Sequence, residues 1–169
     1  APGCFIEMDM LTVGMGGKGS VGMGGCTPEE YRMQFALWCL FGTPLMIGGD
    51  IRTMDGETEK LLQNRSLLAI NQDEECRPPC RISRPDSETQ VFLRHLAGNE
   101  FALGFFNFSD EERHASFFFA DAGIPWSSGC ALRLTDCFTG EEGKARDCLD
   151  PLLAAHSCRL YRAKLVSGE

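Results

Sequence analysis

Positive charge is scarce in this chain. Sixteen Lys and Arg stand against 24 Asp and Glu, a formal net charge of −8 over 169 residues. Nucleic-acid binding needs clustered Lys and Arg, so nucleic acid is not an expected partner. No basic run or basic amphipathic helix suits an anionic membrane. Long hydrophobic runs are missing too. The longest apolar stretch, residues 35–49, is broken by Gly42 and Pro44 and is too short to span a bilayer. Only three histidines occur, His95, His114 and His156, far apart in sequence, so no metal site is expected. The chain starts at Ala1 without an initiator Met, a charged leader or an apolar leader core. No signal peptide is visible, and the start reads as a cut inside something longer.

Cysteine, by contrast, is plentiful. The nine are Cys4, Cys26, Cys39, Cys76, Cys80, Cys130, Cys137, Cys148 and Cys158, an odd number that cannot all pair within the chain. Most sit in apolar surroundings, as Cys39 does in Ala36-Leu37-Trp38-Cys39-Leu40. They read as small buried hydrophobes in a reducing compartment, which favours the cytoplasm over secretion. Cys76 and Cys80 are the only close pair, and no second pair stands at zinc-ligand spacing.

Hydrophobic residues make up 43% of the chain, enough for a core. Two parts are expected, joined by a charged and then proline-rich stretch at Glu74-Glu75-Cys76-Arg77-Pro78-Pro79. In residues 1–75, two short apolar segments each end in a carboxylate: Phe5-Ile6-Glu7-Met8-Asp9-Met10-Leu11, and Pro44-Leu45-Met46-Ile47-Gly48-Gly49-Asp50. Between them lie a loop with seven glycines (12–25) and a helix. Thr27 is its N-cap, Pro28 its first residue and Glu30 the capping-box partner; Gly42 ends it. Tyr31, Phe35 and Trp38 help make this helix apolar nearly all round, as suits a buried helix. A second helix starts at Asp55, breaks near Asn64 and resumes. The order strand, helix, strand with acids at strand ends suits the closing units of a (β/α)₈ barrel, whose catalytic face lies at the C-terminal ends of its strands. A whole barrel needs about 250 residues, so the larger part is expected upstream.

Residues 76–169 change period. Segments 90–96, 100–108, 113–119, 130–136 and 158–165 read as strands, with turns at 98–99, 110–112 and 140–143. That pattern predicts an antiparallel β-sandwich. Phe117-Phe118-Phe119 reads as a strand buried on both faces. The glycines of the loop form no phosphate-binding word. Asn64-Arg65-Ser66 and Asn107-Phe108-Ser109 match the glycosylation sequon.

Several words in order carry a resemblance: Glu7-Met8-Asp9-Met10-Leu11-Thr12-Val13-Gly14, Thr27-Pro28-Glu29-Glu30-Tyr31-Arg32, Phe35-Ala36-Leu37-Trp38, Pro44-Leu45-Met46-Ile47-Gly48-Gly49-Asp50-Ile51-Arg52 and Ala69-Ile70-Asn71-Gln72-Asp73. The first part resembles the C-terminal portion of the glycoside hydrolase family 27 α-galactosidases (melibiases). Asp136-Cys137-Phe138-Thr139-Gly140-Glu141 and residues 156–165 extend the match into the second. The resemblance implies a (β/α)₈ barrel followed by an antiparallel β-domain. It implies a retaining hydrolase that removes terminal α-linked galactose with two aspartates and no cofactor. Those aspartates lie on earlier strands in the family, so this chain is expected to contain neither. The family word Trp-Asn-Asp-Pro-Asp-Met-Leu aligns with residues 5–11. Asp9 and Met10 are therefore expected to line the sugar pocket. Glu7 and Asp50 are candidates for a supporting role, with an ion pair or a helix cap favoured for Asp50. The substrate is expected to be a galactoside. α-N-acetylgalactosaminidase is the alternative within the family, and a non-catalytic carbohydrate-binding sandwich the alternative outside it.

Overall fold

The computed structural model describes residues 5–17, 25–84 and 86–168. Cys4 and half of the glycine-rich loop (18–24) lie outside the described residues. Helix α1 spans Pro28–Phe41. Its N-terminus is closed by the full capping box, with Thr27 Oγ1 accepting from Glu30 N and Glu30 accepting from Thr27 N. Gly42 ends it in the left-handed conformation that glycine adopts without strain. Helices α2 (Gly56–Leu62) and α3 (Arg65–Asn71) follow, capped by Asp55 and Asn64. The break between them has a cause: Asn64 accepts from Leu67 N, starting a new helix, while its amide donates to the Cys137 carbonyl at 2.9 Å.

The rest is antiparallel sheet. The strands are β1 (Cys80–Arg81), β2 (Thr89–Leu96), β3 (Glu100–Asn107), β4 (Arg113–His114), β5 (Phe117–Phe118), β6 (Cys130–Asp136), β7 (Glu142–Ala145), β8 (Cys148–Leu149), β9 (Leu152–Leu153) and β10 (Cys158–Ser167). Six of them form one sheet in the order β1-β2-β3-β10-β6-β7. Ladders β4–β9 and β5–β8 cover one face of it, where Val91, Leu93, Leu103, Phe105, Leu132 and Leu134 meet Phe117, Phe119 and Leu153. The helices cover the other face, where Ala102, Phe106 and Leu160 meet Phe35, Leu40, Leu67 and Ile70. Neighbouring Phe105 and Phe106 therefore point into different cores, as side chains alternate along a strand. At Gly104 the helix packs directly on the strand: a Cβ there would lie 2.6 Å from Leu40 Cδ2.

Several expectations change. The strand expected over 5–11 does not form; residues 5–10 are irregular, and the parallel pairing is one bridge between Leu11 and Ile47. Asp9 has φ +66°, which breaks an extended chain. The segment 113–119 splits into β4 and β5 and then turns into a 3₁₀ helix, Phe119–Ala122. Phe118 is consequently 44% exposed beside buried Phe117 and Phe119, and the three do not form a strand buried on both faces. The turn expected at 140–143 sits at 137–139, where Asp136 Oδ1 accepts from Phe138 N and Thr139 N, and Glu142-Gly143 belong to β7. Of the described cysteines, Cys39, Cys137 and Cys158 are buried but Cys26, Cys76, Cys80 and Cys148 are exposed, so apolar burial accounts for only part of the set. Desolvation pushes the Cys137 thiol up to about 12 and raises Cys39 and Cys158 further.

Both sequon amides are engaged in the fold. Asn107 is fully buried and donates to the carbonyls of Glu111, Leu153 and Ala154, and Asn64 holds Cys137. Folded protein recovered from a eukaryotic secretory host is expected to carry no glycan at either site. An intact-mass measurement checks this, and a glycan on Asn107 in folded material would contradict the structure.

Candidate active site

The segment bearing Glu7, Asp9 and Met10 runs alongside the 45–49 segment. Leu11 N donates to Met46 O at 2.7 Å, and Gly48 N donates to Leu11 O at 2.9 Å. Leu11 and Val13 are fully buried and anchor the segment to the core, while Glu7, Asp9 and Met10 face outward. Glu7 and Asp9 are brought together by a local turn rather than by strand alternation: Asp9 N donates to Glu7 Oε1 at 3.0 Å. The Asp9 carboxylate accepts from Met10 N at 2.7 Å.

Asp50 stands apart from these residues in its bonding. Its carboxylate takes Arg52 N at 3.0 Å, Arg52 Nε at 2.9 Å and Arg52 Nη2 at 2.7 Å, capping the 3₁₀ turn Ile51–Thr53. Arg52 holds the Asp50 carboxyl below the usual carboxylate range. The ion pair and the cap expected for Asp50 are both present.

Residues that sequence reasoning passed over hold the segment in place. Trp38 Nε1 donates to Asp9 O at 2.9 Å, Thr43 Oγ1 accepts from Met8 N at 3.2 Å, and Gln34 accepts from Thr12 N at 3.1 Å. The signal available was helical spacing: Gln34 and Trp38 are four apart and share a face of α1. A cleft of about 550 Å³ lies elsewhere, lined by Glu29, Arg32, Lys60 and Phe138 among others, and holds none of Glu7, Asp9, Met10 or Asp50. It is the joint between helices and sheet, with Arg32 4.2 Å over the Phe138 ring. Among the described residues no group of three His, Cys, Asp or Glu could hold a metal ion.

Residues 1–73 match the family described as "Alpha galactosidase A", and residues 86–163 match the "Alpha galactosidase C-terminal beta sandwich domain". The chain belongs to the α-galactosidase family. An α-galactosidase of Coffea arabica is 30% identical over 142 residues, 83% of this chain and 37% of that protein. An α-N-acetylgalactosaminidase of Gallus gallus is 33% identical over 141 residues, 83% of this chain and 32% of that protein. A family 27 β-L-arabinopyranosidase of Geobacillus stearothermophilus superposes with a TM-score of 0.82 at 25% identity, over 98% of this chain and 38% of that one. The chain thus spans a little over a third of the length of such α-galactosidase relatives. The Gly14 and Thr27 surroundings, α1 and the 45–49 segment all fall within the first match, and every sheet strand except β1 and the end of β10 within the second.

Proposed function

We propose that residues 1–169 form the C-terminal portion of a retaining hydrolase of terminal α-galactosides. Residues 1–75 close its barrel, and residues 76–169 are its β-sandwich. Asp9 and Met10 form part of the sugar-pocket wall, and Glu7 supports Asp9 from behind. The observation that carries this reading is the Asp9–Met10 pair, placed just before the parallel bridge between Leu11 and Ile47 and held outward in a fixed turn. Acids in that place on a barrel point to chemistry.

The nucleophile and the acid/base belong to earlier barrel strands outside residues 1–169. They perform the double displacement from about 5 Å apart. The Asp9 carboxylate would accept hydrogen bonds from sugar hydroxyls. Phe5, Ile6, Met46, Ile47 and Ile51 are exposed along the same segments and would pack against those strands. The core shared by α1 and the sheet weighs against a sandwich that acts as a module alone.

Two measurements test the reading. The 169-residue chain is expected to release no p-nitrophenol from p-nitrophenyl α-galactoside, and release by the chain alone overturns the assignment. In the protein that also carries the upstream strands, Asp9→Ala is expected to raise KM roughly 10- to 100-fold, as loss of charged hydrogen bonds does. An unchanged KM removes Asp9 from the pocket.

A further inference from the structure

Three polar tips stand on one stripe of α1. Tyr31, Gln34 and Trp38 are spaced i, i+3 and i+7, so they line a single face. Each takes a group of the segment that runs from the pocket wall into the glycine-rich loop. The Tyr31 hydroxyl accepts from Gly16 N at 2.8 Å. Gln34 Oε1 accepts from Thr12 N and Thr12 Oγ1, both at 3.1 Å. Trp38 Nε1 donates to the Asp9 carbonyl at 2.9 Å. The segment therefore lies antiparallel along the helix, gripped about once per turn.

The grip matters most at Asp9. Its φ of +66° is a conformation that L residues adopt rarely and keep only when their surroundings hold them there. Both of its peptide groups are held: the N–H by Glu7 and the carbonyl by Trp38. The left-handed turn fixes where the Asp9 carboxylate and the Met10 side chain point. Trp38 is itself anchored, because Asn71 Nδ2 donates to Trp38 O at 3.3 Å and to Thr43 O at 2.9 Å.

We infer that Trp38 is a positioning residue for the pocket wall, acting through the Asp9 carbonyl and touching no sugar itself. The inference rests on the reading of Asp9 and Met10 given above. Trp38→Phe keeps an aromatic ring and removes the donor. Asp9 then relaxes toward negative φ, and its carboxylate leaves the position that meets the sugar. In the protein with the upstream strands, KM is expected to rise about tenfold with kcat changed less than about twofold, the signature of lost uniform binding.

A double-mutant cycle separates positioning from a general packing role. With Asp9→Ala already present, Trp38→Phe is expected to raise KM by less than about twofold. An equal factor in both backgrounds means that Trp38 does not act through Asp9 and overturns the inference alone. Asp9→Ala without effect on KM overturns the pocket assignment and this inference with it. Should Trp38→Phe fold poorly, 3-benzothienylalanine at position 38 keeps the bicyclic shape and removes only the N–H. The same tenfold rise is expected there, and no rise overturns the inference.

Discussion

Arg94→Met is expected to lower the unfolding free energy by about 3 kcal/mol, a large share of what a domain of this size has. Arg94 projects from β2, is 1% exposed, and donates through Nη1 to the carbonyls of Cys39 and Leu40, both at 3.1 Å. Those carbonyls belong to the last turn of α1, which has no basic residue of its own. The guanidinium therefore supplies from the sheet both the hydrogen bonds and the positive charge that a helix C-terminus calls for. Burial pulls its pKa down, and the nearby Asp73 carboxylate opposes that shift. Asp73 in turn accepts from Ala97 N at 3.0 Å and Glu75 N at 3.2 Å, so it ties the join to the chain that follows β2, while Arg94 ties α1 to the sheet.

Methionine fills much of the volume but leaves the Leu40 carbonyl without its partner. Arg94→Lys keeps the charge but loses the planar fork, and an intermediate loss is expected. Gly42→Ala attacks the same joint from the other side. Its φ is +64°, and a Cβ there would lie 3.0 Å from Arg94 Nη1. Urea unfolding of each variant reads the effect as a shift in midpoint at constant slope. A loss below about 0.5 kcal/mol for Arg94→Met, the range of an ordinary surface change, contradicts this account.

Arg94 also illustrates what the amino-acid pattern hides. In Val91-Phe92-Leu93-Arg94-His95-Leu96 it reads as the outward residue of an alternating strand, yet the helices cover that face. α1 was legible because its signals are local: Thr27, Pro28 and Glu30 at one end and Gly42 at the other. Strands β2, β3, β6 and β10 were legible because their apolar runs and turns are their own. β8 and β9 are two residues each and exist only through their partners β5 and β4, so no periodicity marks them. The carboxylates at the candidate site were visible as types in a family word. Their conformation was not, because the left-handed turn at Asp9 depends on an indole 29 residues away. Tyr31 and Trp38 on an apolar helix read as core, and only the folded chain reveals their polar tips at work.

Asn107→Asp is expected to cost about 3 kcal/mol at pH 7 and distinctly less near pH 4. The Asn107 side chain closes β3 onto two loops. Its amide donates to Glu111 O at 2.7 Å, Ala154 O at 2.9 Å and Leu153 O at 3.3 Å, while Oδ1 accepts from Ser109 N at 3.1 Å and Ser109 Oγ at 2.8 Å. Aspartate has the same shape but turns the donor end into an acceptor facing three carbonyl oxygens at 0% exposure. An ionised carboxylate there is repelled and desolvated at once, so the folded pKa of the new group lies above its unfolded value of about 3.9. The neutral acid keeps one O–H donor for a carbonyl and supports the fold below that pH. The support is lost as pH rises through the folded pKa, because the unfolded chain ionises freely and the folded one cannot. The difference in unfolding free energy between the variant and the parent should therefore widen from pH 4 to pH 7. Asn107→Ala, which removes the side chain without adding charge, should show a loss that does not change over the same range. A pH-independent deficit for Asn107→Asp would mean that the amide does not face those carbonyls in solution, and the closure of β3 described here would have to be redrawn.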